Sequence, residues 1–141
     1  MSYVQETRLI EQHFFNNWDA DTTPVQFDNS YVWLDNNGAA YKNENQLDEW
    51  LRFIVDFSNS QQKSFGAANN FVQRNGLVTV QVFVPENEGS GRAFEIVEAI
   101  SAIFELADIG EVDFAAANYT RVGVDSRWFQ VNVNIPFLYY S

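Results

Sequence analysis

Apolar residues recur at helical spacing in two stretches of this chain and alternate with polar ones in several others. Val4, Ile10, Phe14 and Trp18 fall near one stripe, with Glu6, Arg8, Glu11 and Gln12 between them. That spacing predicts a first helix over residues 3–17, and Ser2 with Gln5 has the spacing of a capping box at its start. A second stripe, Ala93, Ile96, Val97, Ile100, Ile103 and Phe104, leaves Glu95, Glu98, Ser101 and Glu105 on other faces. It predicts an amphipathic helix with Ser90 as N-cap and Gly110 just beyond its end.

Elsewhere the period is two. Leu51, Phe53, Val55 and Phe57 alternate with Arg52 and Asp56, the signature of a half-buried strand over residues 50–57, followed by a polar tip at 58–63. Asn75-Gly76 suits a type I′ turn and predicts a hairpin of residues 71–74 with 77–84, ended by Pro85. Residues 22–27 and 31–34 read as extended, with Pro24 excluding helix. The polar run 35–48, with Asn36-Asn37-Gly38, offers little to a core and reads as a long surface loop. Residues 112–124 and 128–137 are expected strands flanking Asp125-Ser126. In the second, Phe129, Val131, Val133, Ile135 and Phe137 face one way and Gln130, Asn132 and Asn134 the other. An amide face in place of Lys and Glu suits a sheet that meets another protein as well as one that meets water. Two helices and about six strands joined by hairpins predict an α+β fold, a mainly antiparallel sheet with two helices packed on one face. No repeat or linker divides residues 1–141, so one domain is expected.

Charge narrows the function classes. Eight Lys and Arg against nineteen Asp and Glu give a net charge of −11 in 141 residues. Such a chain repels phosphate backbones, and its scattered cations form no basic patch for nucleic acid or an anionic membrane. No stretch approaches the roughly 20 apolar residues that span a bilayer, and the N-terminus lacks a cationic start followed by an apolar run; synthesis in the cytoplasm is expected. With no cysteine and one histidine, neither disulfides nor a cysteine-rich zinc site is available.

Catalytic constellations are weak. Glu86, Glu88, Asp108, Glu111 and Asp113 are near one another only in sequence, and acid–base work needs carboxylates whose environments separate their pKa values. His13 beside the first apolar stripe reads as a partly buried structural histidine. Gly89-Ser90-Gly91-Arg92 before a helix invites a phosphate reading. It lacks the Lys-Ser/Thr of a P-loop and the third Gly of a dinucleotide fingerprint, so a flexible turn explains it better. The aromatic residues are more simply core than a sugar platform. The end of the sequence, Pro136-Phe137-Leu138-Tyr139-Tyr140, must dock on something, either within the subunit or on a neighbour.

Taken in order, several segments carry a resemblance: an N-terminal helix ending near Trp18, then Thr23-Pro24-Val25-Gln26-Phe27, then Glu49-Trp50-Leu51-Arg52-Phe53. Arg74-Asn75-Gly76-Leu77 through Val84-Pro85 follows, closing on Gly89-Ser90-Gly91 and an amphipathic helix. The whole resembles the tail terminator proteins of long-tailed bacteriophages. The resemblance implies a non-enzymatic virion protein without cofactor or metal, made in the host cytoplasm and resident at the tail–neck junction. It implies a homo-oligomeric, hexameric ring that caps the tail tube protein, stops tube polymerisation and joins a head–tail connector or stopper protein. Genomic DNA would pass the lumen without specific binding, and no membrane is involved. On this reading Glu86 and Glu88 line the channel or touch the tube, and Phe137, Leu138, Tyr139 and Tyr140 form a subunit interface. A stopper protein of the same neck, a small-ligand α+β enzyme and a carbohydrate-binding module are the alternatives. They differ in which partner binds first, in a deep apolar cavity, and in a row of solvent-facing Trp or Tyr.

Overall fold

The computed structural model describes residues 3–41, 47–62, 72–87, 89–105, 107–110, 112–125 and 127–140. Two helices, α1 (Tyr3–Asn16) and α2 (Gly91–Phe104), accompany nine strands: β1 (Val25–Phe27), β2 (Trp33–Leu34), β3 (Ala40–Tyr41), β4 (Trp50–Gln62), β5 (Val72–Pro85), β6 (Asp108–Ile109), β7 (Val112–Phe114), β8 (Asn118–Asp125) and β9 (Trp128–Tyr140). All nine form one sheet in the order β3-β2-β1-β4-β5-β9-β7-β6, with β8 also paired to β9. Only β1 and β4 run parallel; every other pair is antiparallel. The expected α+β class, with both helices on one face, is what the chain adopts.

Alternation fixes the two faces of the sheet. Leu51 and Phe53, then Val78, Val80, Val82 and Val84, then Phe129 through Tyr139 at every second residue, form one buried layer with Ile10 and Phe14 of α1 and Ala93, Ile96, Val97, Ile100 and Phe104 of α2. Phe14 stacks on Phe53 at 4.7 Å and lies 5.9 Å from Phe104, so one ring joins both helices to the sheet. His13 donates from Nε2 to the Ile103 carbonyl at 3.0 Å, a bridge between the helices. On the opposite face a second, smaller cluster holds Trp33, Leu47, Trp50, Phe83 and Trp128.

Three local expectations are corrected. Asn75-Gly76 makes no turn: β5 runs straight through it, with Gly76 between Phe57 and Phe137 in the ladder. A Cβ on Gly76 would come within 2.6 Å of the Asp56 carbonyl oxygen and closer still to the Phe137 ring. The glycine therefore makes room for two phenylalanines, which meet over it edge to face at 5.8 Å, a strand glycine placed for close approach. Second, residues 35–48 do reach a core, because Leu47 is 4% exposed in the tryptophan cluster. Third, Gly110 lies beyond the C-cap Glu105 and turns β6 into β7 with φ +60. Ser90 stands at the N-cap of α2, where its side chain makes no capping hydrogen bond.

The expected strand 112–124 is divided into β7 and β8 for a reason visible in its partner. Phe114 pairs with Phe137 and Asn118 with Asn134, four steps against three, so one extra residue must be accommodated. The irregularity falls opposite Pro136, whose carbonyl accepts from Ala115 N–H at 2.9 Å and whose ring nitrogen has no hydrogen to return. Losing the ladder there therefore leaves no donor of Pro136 unpaired.

Candidate functional site

Among the described residues no helix covers the second face of the sheet. Across it Gln26, Arg52, Gln81, Asn132 and Thr120 stand in register on five neighbouring strands. The next row is Ile54, Thr79, Asn134 and Asn118. Cross-strand neighbours on one face lie about 4.5–5.5 Å apart at Cβ, and the amides use that proximity. Arg52 donates from Nε to Gln26 Oε1 at 2.8 Å and from Nη1 to Gln81 Oε1 at 3.1 Å. Along β9 itself Gln130 Nε2 donates to Asn132 Oδ1 at 2.9 Å, and across to β8 Asn134 Nδ2 donates to Thr120 Oγ1 at 3.1 Å. The Arg52 guanidinium also lies over Trp50 at 5.3 Å and Phe83 at 5.7 Å. Two amide oxygens and two ring faces thus hold the one cation of these rows.

One long side of the sheet is open. β8 pairs only with β9 among the described strands, and Tyr119, Val122 and Val124 on it are 54%, 50% and 61% exposed. A bulge between Arg121 and Gly123, with Gly123 at φ +102, turns the strand locally. Such a strand offers unpaired backbone groups beside apolar side chains, the combination that invites pairing with another chain. Near the other end of the sheet, between β1 and β2, Tyr31 is 86% exposed.

A polar node ties the start of β4 to the start of α2. Arg92 grips Glu49 with two nitrogens, Nε to Oε1 at 2.9 Å and Nη2 to Oε2 at 2.8 Å, and reaches Glu95 at 3.2 Å; Thr23 Oγ1 also donates to Glu49. Burial opposes ionisation of Glu49, but the hydrogen bonds from Arg92 and Thr23 and the guanidinium charge outweigh it and hold the carboxyl below its ordinary value. Hydrogen bonds from Thr22 and Asn36 likewise hold Asp19 low. Arg92, Thr23 and Asp19 border a surface cleft of about 430 Å³ between the helices, with Trp18 and Ile103 in its wall. Its one guanidinium is already spent on carboxylates, which leaves no charge for an anionic ligand.

The residues singled out in the sequence are dispersed. Glu86 is exposed in the turn after β5, its N–H bonded to the Arg127 carbonyl at 3.1 Å; Glu88 lies outside the described residues. Phe137 and Tyr139 are 3% and 0% exposed inside the subunit's own core, because β9 is a central strand between β5 and the β7–β8 side. Their docking is thus internal; Leu138 is half-buried on the other face, and the side chain of Tyr140 lies outside the description. Burial pushes the Tyr139 phenol above its ordinary value, and nearby Arg74 opposes that shift. Glu6, read as polar filler in α1, is fully buried. Among the described residues no three His, Asp or Glu side chains converge as metal ligands, and no helix is long and apolar enough to cross a membrane.

Sequence reasoning found the amides of β9 but missed Gln26, Arg52 and Gln81, which join them only through strand pairing. The parallel β1–β4 contact that brings Gln26 to Arg52 has no short-range signal. Comparison with known proteins adds fold information alone. No family model matches, and no curated protein matches. Among the solved structures that match is a protein whose name states no function, 16% identical over 94% of this chain and 94% of its own, with a TM-score of 0.62.

Proposed function

We propose that this chain is a structural subunit of a bacteriophage virion, a tail terminator that closes into a ring on the end of the tail tube, stops its growth and receives the head connector. The observation that carries the reading is the open side of the sheet. β8 presents exposed Tyr119, Val122 and Val124 at one end of the fold while Tyr31 is exposed toward the other. Two unlike patches at opposite ends suit a heterologous contact, which repeats head to tail and closes when the rotation per copy divides a full turn. The net charge of −11 suits a passage for DNA that must not retain it. The resemblance along the chain supplies the tube and connector as partners.

Deleting the coding sequence from the phage tests the proposal. The expected result is tails of uncontrolled length that do not join heads, and restoration of both by the supplied protein, seen by electron microscopy at the tail–neck junction. Tails of normal length joined to heads in its absence would refute the reading. Density on the head side of the neck would assign it as the stopper instead.

A further inference from the structure

We propose that the uncovered amide face of the sheet is the wall along which duplex DNA slides. This rests on the ring reading above and adds which surface turns inward. The starting observation is a segregation of charge. In the central rows of this face, the described side chains include no carboxylate and one cation, Arg52, which is held by Gln26, Gln81 and two rings. Asp56 and Asp113 stand at the far end, in register with Leu77 and Leu138. The helical side carries exposed Glu95, Glu98 and Glu105 on or beside α2. In a chain with nineteen carboxylates, these rows cross five strands with Arg52 as their one charged residue.

The chemistry of the strip selects its occupant. A protein partner wants an apolar, aromatic centre within a polar rim, whereas here the amides hold the centre, Leu77 is exposed only at the margin of the face, and the other exposed apolar groups stand on β8, on α1 and at Tyr31. A sugar wants solvent-facing rings, but Trp33, Trp50 and Trp128 are 8%, 3% and 5% exposed. A polyanion in transit wants a wettable wall without mobile ammonium groups, because each phosphate held by a cation adds a counterion-release term that slows departure. Amides give and accept short-lived hydrogen bonds without charge, and the bonds of Gln130 to Asn132 at 2.9 Å and of Asn134 to the Thr120 hydroxyl at 3.1 Å restrain them.

The test uses infectious particles carrying Gln130→Lys, Asn132→Lys and Asn134→Lys together, three added charges on half-buried positions of β9. The control carries Glu98→Lys and Ala102→Lys, the same charge change on exposed positions of α2. Ejection of DNA, triggered in vitro, is expected to slow about tenfold or more in the first variant at low salt and to recover at high salt, with the control within about twofold of the parent. Ejection at the parental rate from normally assembled first-variant particles would overturn the proposal. If those particles do not assemble, a photocrosslinking residue decides. At Asn132 it is expected to capture genomic DNA during arrested ejection, and at Glu98 none; capture of protein at Asn132, or of DNA only at Glu98, would overturn it. Absence of the chain from the tail–neck junction would instead refute the ring reading, independently of either result.

Discussion

The two faces of this sheet are built from the same strands and differ in what surrounds them. On the covered face, Phe14, Phe53, Phe104 and Val78, Val80, Val82 and Val84 of β5 pack at near-zero exposure and are fixed by their neighbours' shapes. On the uncovered face, Gln81, Asn132 and Asn134 are half-buried and are fixed by hydrogen bonds that water can replace. The covered face therefore carries stability, and the uncovered face is free to be specified by whatever it meets.

Four single substitutions and one second-site change probe that division, from the largest effect down. Phe14→Ala removes the ring shared by both helices and the sheet and should cost about 3–5 kcal/mol in urea unfolding. Gly76→Ala places a methyl group against Phe137 and the Asp56 carbonyl and should cost about 1–3 kcal/mol by overpacking. Phe137→Leu should partly restore it, because the nearest contact is the far end of that ring. A turn glycine, as the sequence suggested, would show no such coupling.

Arg92→Ala should cost about 1 kcal/mol at neutral pH, small because the Arg92 side chain is 44% exposed. Its effect depends on acid in a definite direction. The folded pKa of Glu49 is lowered, so the stabilisation is present above the ordinary carboxyl value of about 4.3 and is lost as pH falls through the folded value. The melting curves of the parent and Arg92→Ala should therefore draw together as pH falls through the folded value, and a gap undiminished in acid would deny the pairing its electrostatic role. Last, Asn134→Ala on the uncovered face should change stability by no more than about 0.5 kcal/mol. A large loss would mean that the amide rows support the fold itself.

The strongest periodic signals in the sequence were reliable for a physical reason. α2 and the alternating half of β9 bury one side against a single partner layer, so their spacing alone identifies that side. What escaped notice depends on partners distant in sequence. Asn75-Gly76 has the composition of a turn, and only the rings of Phe57 and Phe137 from flanking strands explain a glycine within a strand. Leu47 looked isolated in a polar run because its partners Trp33, Trp50 and Trp128 come from three separate strands. The candidate face was half legible: the alternation in β9 displays Gln130, Asn132 and Asn134, whereas the row reaching Gln26 requires the register of four strand pairs.

Strand order also sets a schedule for biosynthesis. β9, the last of the described strands to leave the ribosome, fills the gap between β5 and the β7–β8 side, and its ladder with β5 runs from Trp128 to Tyr140. Until it emerges, a nascent chain displays β5 as a long bare border rich in valine, the kind of template that attracts foreign strands. Translation rate over β9 and chaperone supply should thus govern the yield of folded protein more than the intrinsic strength of the finished core does.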